Sequence, residues 1–213
     1  MAPGKEDARV PTPFMGEPGS AQWAALLIQH RQTILPKRLA EPGPDAAQLE
    51  LIFGAAAAAP DHGELVPWRF VIIPAEARER LADVFAASLL ERDSSATAEE
   101  VAKAREKAYR SPLLLLAVVD VGPPADEVSP AERMISAGCA IQNMLLMATT
   151  MGFGSALTSG KALQSQGLRE MFSLRECEQA VCFVSIGTTL RRKPPRLRPE
   201  PSRYVSVLAP PAA

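Results

Sequence analysis

Residues 41–73 read EPGPDAAQLELIFGAAAAAPDHGELVPWRFVII, and the signals within them run in the order helix, tight turn, strand. The opening Pro/Gly turn delivers Asp45 as an N-cap, with Gln48 three positions later to complete a capping box. The apolar helix that follows extends to Pro60, and its alanine run suits close packing against another element. After the turn Asp61-His62-Gly63, the segment Trp68 to Ile73 is short, apolar and β-branched, the pattern of a buried strand. Asp61 is explained by capping that turn without any catalytic role.

Outward from this unit, the same two patterns recur. On the N-terminal side, WAALLIQHRQTIL (Trp23 to Leu35) spaces its apolar residues as an amphipathic helix that stops before Pro36. On the C-terminal side come a charged helix over Ala75 to Leu90 and a second over Ala96 to Tyr109, where Glu99 and Lys103 pair one turn apart on a solvated face. The run LLLLAVVD (Leu113 to Asp120) is continuously apolar, as a strand covered on both faces requires. A Pro/Asp-rich loop from Gly122 to Pro130 leads to Glu132–Met151, whose small and apolar residues all round mark a long, buried central helix closed by Gly152. Phe153 to Gly160 is rich in small residues and receives no element. A short helix over Leu163 to Phe172 and a last strand over Ala180 to Ile186 complete the pattern. The order predicts an α+β or three-layer arrangement around a small sheet, with residues 20–213 as one domain behind a loose, proline-bearing tail over 1–19.

Composition narrows the function. The 213 residues and 22.8 kDa suffice for a core without disulfides, and 47% apolar content argues against disorder. Basic and acidic side chains balance at 23 against 24, so no global field draws nucleic acid. No apolar run reaches the ~18 to 20 residues of a membrane span, and the proline-interrupted N-terminus offers no secretion signal. Three cysteines, Cys139, Cys177 and Cys182, lie in apolar patterns and suggest reduced, buried thiols in a cytoplasmic protein. Two histidines and no paired-cysteine spacing leave no zinc site. Neither a nucleophile elbow, a P-loop nor a dinucleotide fingerprint is present; Gly152-Phe153-Gly154 follows a helix instead of a strand.

The basic residues carry more information. His30 and Arg31 end the first helix, and the tail contributes Arg191, Arg192, Lys193, Arg196, Arg198 and Arg203 against a single acid, Glu200. These groups can converge on one phosphate if the last strand returns beside that helix, since a guanidinium fork matches a phosphate monoester. A solvated basic tail explains the same composition.

Four segments in order carry a family resemblance: residues 38–73, RLAEPGPDAAQLELIFGAAAAAPDHGELVPWRFVII; 103–120, KAREKAYRSPLLLLAVVD; 132–160, ERMISAGCAIQNMLLMATTMGFGSALTSG; and 183–189, FVSIGTT. Together they resemble the nitroreductase superfamily, in its compact NAD(P)H-dependent branch. The resemblance implies an α+β fold, a small antiparallel or mixed sheet flanked by helices, and an intertwined homodimer holding FMN at the subunit interface. It implies NADH or NADPH as electron donor and a small-molecule acceptor such as a nitroaromatic or quinone, with no catalytic acid or base, no metal, no nucleic acid and no membrane. The implied cofactor residues are His30, Arg31 and Gln32 at the phosphate, with Arg38 as an alternative; His62 near the flavin; Leu157, Thr158 and Ser159 beside the ring; and Gly187 and Arg192 at the end of the sheet. The chain departs from that branch at His30, Gln32, Ala58, Leu157 and Thr158. Those departures leave room for a second expectation, a flavin-binding protein of the same fold whose reductase activity is lost or altered. A non-enzymatic domain binding through its basic C-terminal segment is a third.

Overall fold

A computed structural model describes residues 16–123, 126–192, 194 and 196–209 of the chain. Most of the expected tail, residues 1–15, lies outside the described residues, as do Lys193 of the basic segment and part of the 122–130 loop. In chain order the elements are α1 (Ser20–His30), β1 (Leu39–Ala40), α2 (Ala46–Ala57), β2 (Trp68–Ile72), α3 (Arg78–Arg92), α4 (Ala98–Glu106), β3 (Leu113–Asp120), α5 (Pro130–Thr150), β4 (Phe153–Thr158), α6 (Gln166–Met171) and β5 (Glu178–Thr189).

The sheet is organised around β5, which pairs antiparallel with β3 along one edge and with β4 along the other. Strand β2 lies outside β3, and β1 pairs with the last two residues of β5, beyond the end of β3. The continuous apolar run of β3 is explained by the two layers it separates. Leu113, Leu115 and Ala117 face α2 and α5 with Ile52, Met144 and Leu145, whereas Leu114, Leu116 and Val118 face α3 and α6 with Leu81 and Leu168. Alternate side chains thus enter opposite cores, and both cores are aliphatic.

Three helices begin with full capping boxes: Asp45 with Gln48, Thr97 with Glu100, and Ser129 with Glu132. Each satisfies two of the backbone groups that a helix start leaves unpaired. The last two boxes start α4 and α5 at residues later and earlier, respectively, than the apolar pattern alone indicates. Helix α1 ends at His30, five residues before Leu35, because the following residues are drawn out to the sheet edge.

Strand β4 was not expected from its small residues. It forms because β5 offers an edge, and its glycine is required there: a side chain at Gly154 would place its Cβ 2.2 Å from Thr189 Oγ1 and 2.9 Å from Leu39 Cδ2. Low strand propensity is outweighed by this close approach.

Arginines tie the ends of the sheet. Arg78 donates to the carbonyls of Ile73 (2.8 Å), Ala108 (2.7 Å) and Pro112 (3.2 Å), so the α4–β3 junction is fastened to the start of α3. At the opposite end, Glu178 accepts from Arg69 Nε at 2.8 Å and Nη2 at 3.0 Å, from the Arg175 amide at 2.9 Å and from Arg175 Nη2 at 3.2 Å. Arg175 continues to Asp120 at 2.8 Å, closing the network across β2, β3 and β5.

Two expectations need correction. Helix α5 is 21 residues long and buries one flank, but Ile135, at 67% exposure, and Gly138 leave a stripe of it uncovered within the chain. Of the three thiols only Cys182 is buried, which pushes it up to about 11; Cys139 and Cys177 are half-buried, and all three are free.

Candidate active site

Residues 31–38 leave α1 and run along the outer edge of β4. The Ile34 amide donates to the Ser155 carbonyl at 2.9 Å, and Thr33 forms a parallel bridge with the same residue. This run connects two cavities.

The first is narrow and lies where α1, the end of α5 and the end of β5 meet. His30, Gln32 and Ile34 line it with Thr149, Gly154, Thr189 and Arg192. Gln32 Oε1 and Thr189 Oγ1 are buried there without a hydrogen-bond partner among the described residues. A hydroxyl can donate, and a half-turn of the Gln32 amide presents N–H in place of oxygen. Both orphans therefore suit an oxygen-rich ligand, since leaving them unpaired costs about 1–3 kcal/mol each.

Charge at this end has one sign. Arg192 Nη2 approaches the Gly152 carbonyl at 3.4 Å, and Arg198 Nη2 approaches the Arg31 carbonyl at 3.4 Å. Burial, and then the neighbouring charge of Arg198, hold the Arg31 guanidinium below the ordinary arginine value. Among the described residues no carboxylate pairs with Arg31, Arg192 or Arg198. Arg31 and Arg198 thus oppose each other with no acid between them among the described residues, an arrangement that an anion would relieve.

The second cavity, of about 680 Å³, lies at the other end of the 31–38 run. Its walls are Leu35, Pro36 and Lys37, the segment Thr158 to Leu163 after β4, and the facing sides of α3 and α4. Phe85, Leu89, Leu114 and Phe183 give it an apolar floor, with Phe85 and Phe183 edge to face at 5.5 Å. Lys103, Lys107 and Arg110 stand at its rim.

The expected site residues divide between these places. His30, Gln32 and Arg192 meet in the narrow cavity, Thr158 and Ser159 line the large one, and Arg31 lies between His30 and Gln32 beside Arg198 without lining either. Arg38 lines neither cavity; its neighbour Lys37 enters the large one. Leu157 is 44% exposed and outside both cavities. Gly187 also lines neither; a Cβ there would sit 2.7 Å from Pro112 Cδ, so its smallness serves the packing of Pro112 on β5. Lys37 and Lys107 were not expected in these places. Only the basic bias of the tail pointed towards Arg198.

His62 is elsewhere. Its Nδ1 lies 3.2 Å from Glu132 Oε1 at the first turn of α5. The Ser129 cap, and then His62, hold Glu132 down to about 2. The narrow cavity lies at the other end of α5, at Thr149, a separation of ~25 Å at 1.5 Å per residue. His62 cannot reach that cavity in its own chain.

The domain places a narrow, polar-lined cavity of about 10 Å³ and a roomy, largely apolar one of about 680 Å³ along the same run of chain. The nitroreductase family model matches residues 28–188, and the chain belongs to the nitroreductase family. It is 37% identical over 156 residues to the Haemophilus influenzae protein named "Putative NAD(P)H nitroreductase", covering 73% of this chain and 84% of that one. Among solved structures, a nitroreductase-like family protein from Bacillus cereus superposes with a TM-score of 0.73 at 20% identity, over 86% of this chain and 95% of that one. A variant of the FMN and NADPH-dependent nitroreductase NfnB, from "sphigopyxis sp. strain HMH", superposes with a TM-score of 0.68 at 17% identity, over 86% and 98%. Among the described residues no helix is long and apolar enough to cross a membrane.

Proposed function

We propose that this chain is an FMN-dependent NAD(P)H oxidoreductase that reduces small electron acceptors such as nitroaromatics or quinones, and that it works in the cytoplasm as a homodimer with each flavin between subunits. The observation that carries the reading is the pair Arg31 and Arg198, without a carboxylate partner among the described residues, at one end of a run whose other end enters a 680 Å³ cavity. Bound FMN supplies a ring that accepts a hydride from the reduced nicotinamide and returns electrons to the second substrate. The chain's contribution is placement: Arg192, the Thr189 hydroxyl and the Gln32 amide, which line the narrow cavity, would hold the phosphate, Arg31 and Arg198 would add charge from beside it, and the walls at Leu35, Thr158 and Ser159 would orient the ring and exclude water. No side chain of the site is assigned a proton-transfer role.

What supports the homodimer is the surface the chain leaves uncovered. Helix α1 buries none of its residues, and Trp23 is 74% exposed, with Leu26 and Ile28 beside it. Leu51 on α2 and Ile135 on α5 extend the apolar surface, and Gly54 and Gly138 have open space over them. A surface of this character marks an association site. A second copy would also give His62, which lies at the opposite end of α5 from the narrow cavity, a route to a flavin across the interface. Replacing Ile135 with Asp is expected to shift the protein from dimer to monomer in sedimentation experiments and to release flavin with it.

His30 Nδ1 donates to the Leu26 carbonyl at 2.8 Å, which fixes the ring against the end of α1 and leaves Nε2 for a ligand.

Anaerobic addition of NADPH or NADH to purified protein carrying a flavin absorbance band tests the reading. The band should bleach and return with an added acceptor. A band that persists favours the second reading, a flavin-binding protein with altered activity, which the replacements at Ala58, Leu157 and Thr158 support. Absence of any band after FMN reconstitution overturns both.

A further inference from the structure

We infer that the electron acceptor taken by the large cavity is an anionic aromatic compound, of the aromatic carboxylate class, selected by the cations of α4 and the 31–38 run; this rests on the flavin reading above. Six cationic side chains, Lys37, Arg92, Lys103, Lys107, Arg110 and Lys161, line this cavity against one carboxylate, Glu100. Glu99 neutralises Lys103 at 2.6 Å and Glu106 neutralises Arg110 at 3.1 Å. Among the described residues Lys37, Lys107, Lys161 and Arg92 have no carboxylate partner. The cavity therefore keeps a positive excess after every pair is formed.

The cofactor phosphate does not account for that excess. The narrow cavity reaches β4 at Phe153 and Gly154, and the large one begins at Thr158. Four to five strand residues separate them, ~13–17 Å along β4. One phosphate cannot satisfy both positive zones. The floor of the large cavity, formed by Phe85, Leu89, Leu114 and Phe183, fits a flat apolar body. Floor and rim together describe one ligand, an aromatic ring that carries an anionic group. Neutral rings satisfy the floor alone, and cationic rings meet repulsion at the rim.

For a nitro compound of this class the step is the two-electron reduction of nitro to nitroso. NAD(P)H and one proton are consumed, and NAD(P)⁺ and water are released.

The test compares 4-nitrobenzoate, 4-nitrobenzamide and a 4-nitrophenyl trimethylammonium salt as acceptors for the FMN-loaded dimer. The expected kcat/KM order is anion, neutral, cation, with about tenfold between the first two at low salt and a shrinking ratio as salt rises. Binding is read separately with benzoate, which cannot be reduced, by calorimetry. Benzoate is expected to bind more tightly than benzamide, and the Lys107→Gln variant is expected to lose several-fold of both preferences. Equal kcat/KM values across the three acceptors, or equal binding of benzoate and benzamide, overturn the inference while leaving the flavin reading intact. A Lys107→Gln effect confined to the KM of NADPH also overturns it, because the cations would then serve the donor. Failure to turn over any acceptor, with no flavin bound, overturns the flavin reading itself.

Discussion

Removing both guanidinium groups beside the phosphate position, Arg31→Ala with Arg198→Ala, is expected to weaken FMN binding by a factor of a hundred or more. Hydrogen bonds to a charged partner contribute about 1.5–3 kcal/mol each, so the loss of two guanidinium groups amounts to roughly 3–6 kcal/mol. Binding should suffer without loss of the fold. In the absence of ligand the two side chains oppose each other: Arg31 is held below the ordinary arginine value by burial and by the charge of Arg198. The flavin-free double variant is therefore expected to melt no lower than the flavin-free parent, while its FMN titration moves by two decades. If the melting temperature falls and the titration does not move, these arginines are structural.

The Glu178→Gln substitution is expected to destabilise the fold by about 1–3 kcal/mol, because it removes the buried charge that holds Arg69, while Arg175 stays largely in solvent and keeps Asp120. The Glu178 side chain is 3% exposed and accepts from both Arg69 and Arg175. A neutral amide cannot replace that charge, whereas replacing Arg69 and Glu178 together with methionine removes both ions and should recover much of the loss. The acid also imposes a pH dependence. The Arg69 hydrogen bonds, foremost, lower Glu178 from 4.5 to about 2. Its folded-state value is thus below the unfolded one, so the stabilisation is complete above about pH 4.5 and is lost as pH falls towards 2. Denaturant melts at several pH values should show the gap between parent and Glu178→Gln narrowing across that window.

The parts legible in the sequence are those decided by local chemistry. Leu113–Asp120 is a strand with the expected bounds because eight apolar residues in a row can be buried only by layers on both faces. Asp45 and Gln48 lie three residues apart and form their box irrespective of the rest of the fold. The parts that were not legible depend on a neighbour from elsewhere in the chain. Phe153–Thr158 becomes a strand because β5 supplies an edge and because Gly154 has to pass under Thr189. Lys103 and Lys107 have the spacing of a solvated helix face, and only the arrival of Leu35–Lys37 and Thr158–Leu163 turns that face into a cavity wall. The site divided along the same line. His30, Gln32 and Arg192 line one narrow cavity, whereas Gly187, which matches the motif, and Leu157, which departs from it, line neither. A matched position identifies a place in the chain, and the direction of a side chain is set by the pairing register.

The single amide bond from Ile34 to Ser155 has a consequence for the fate of the protein in the cell. The same short arm that delivers the phosphate-facing residues also covers the outer margin of β4, which would otherwise present free strand groups to other molecules. Protection of that margin from strand-to-strand aggregation therefore rests on the same few residues that close the narrow cavity, so a change that loosens them would cost solubility as well as the shape of the site.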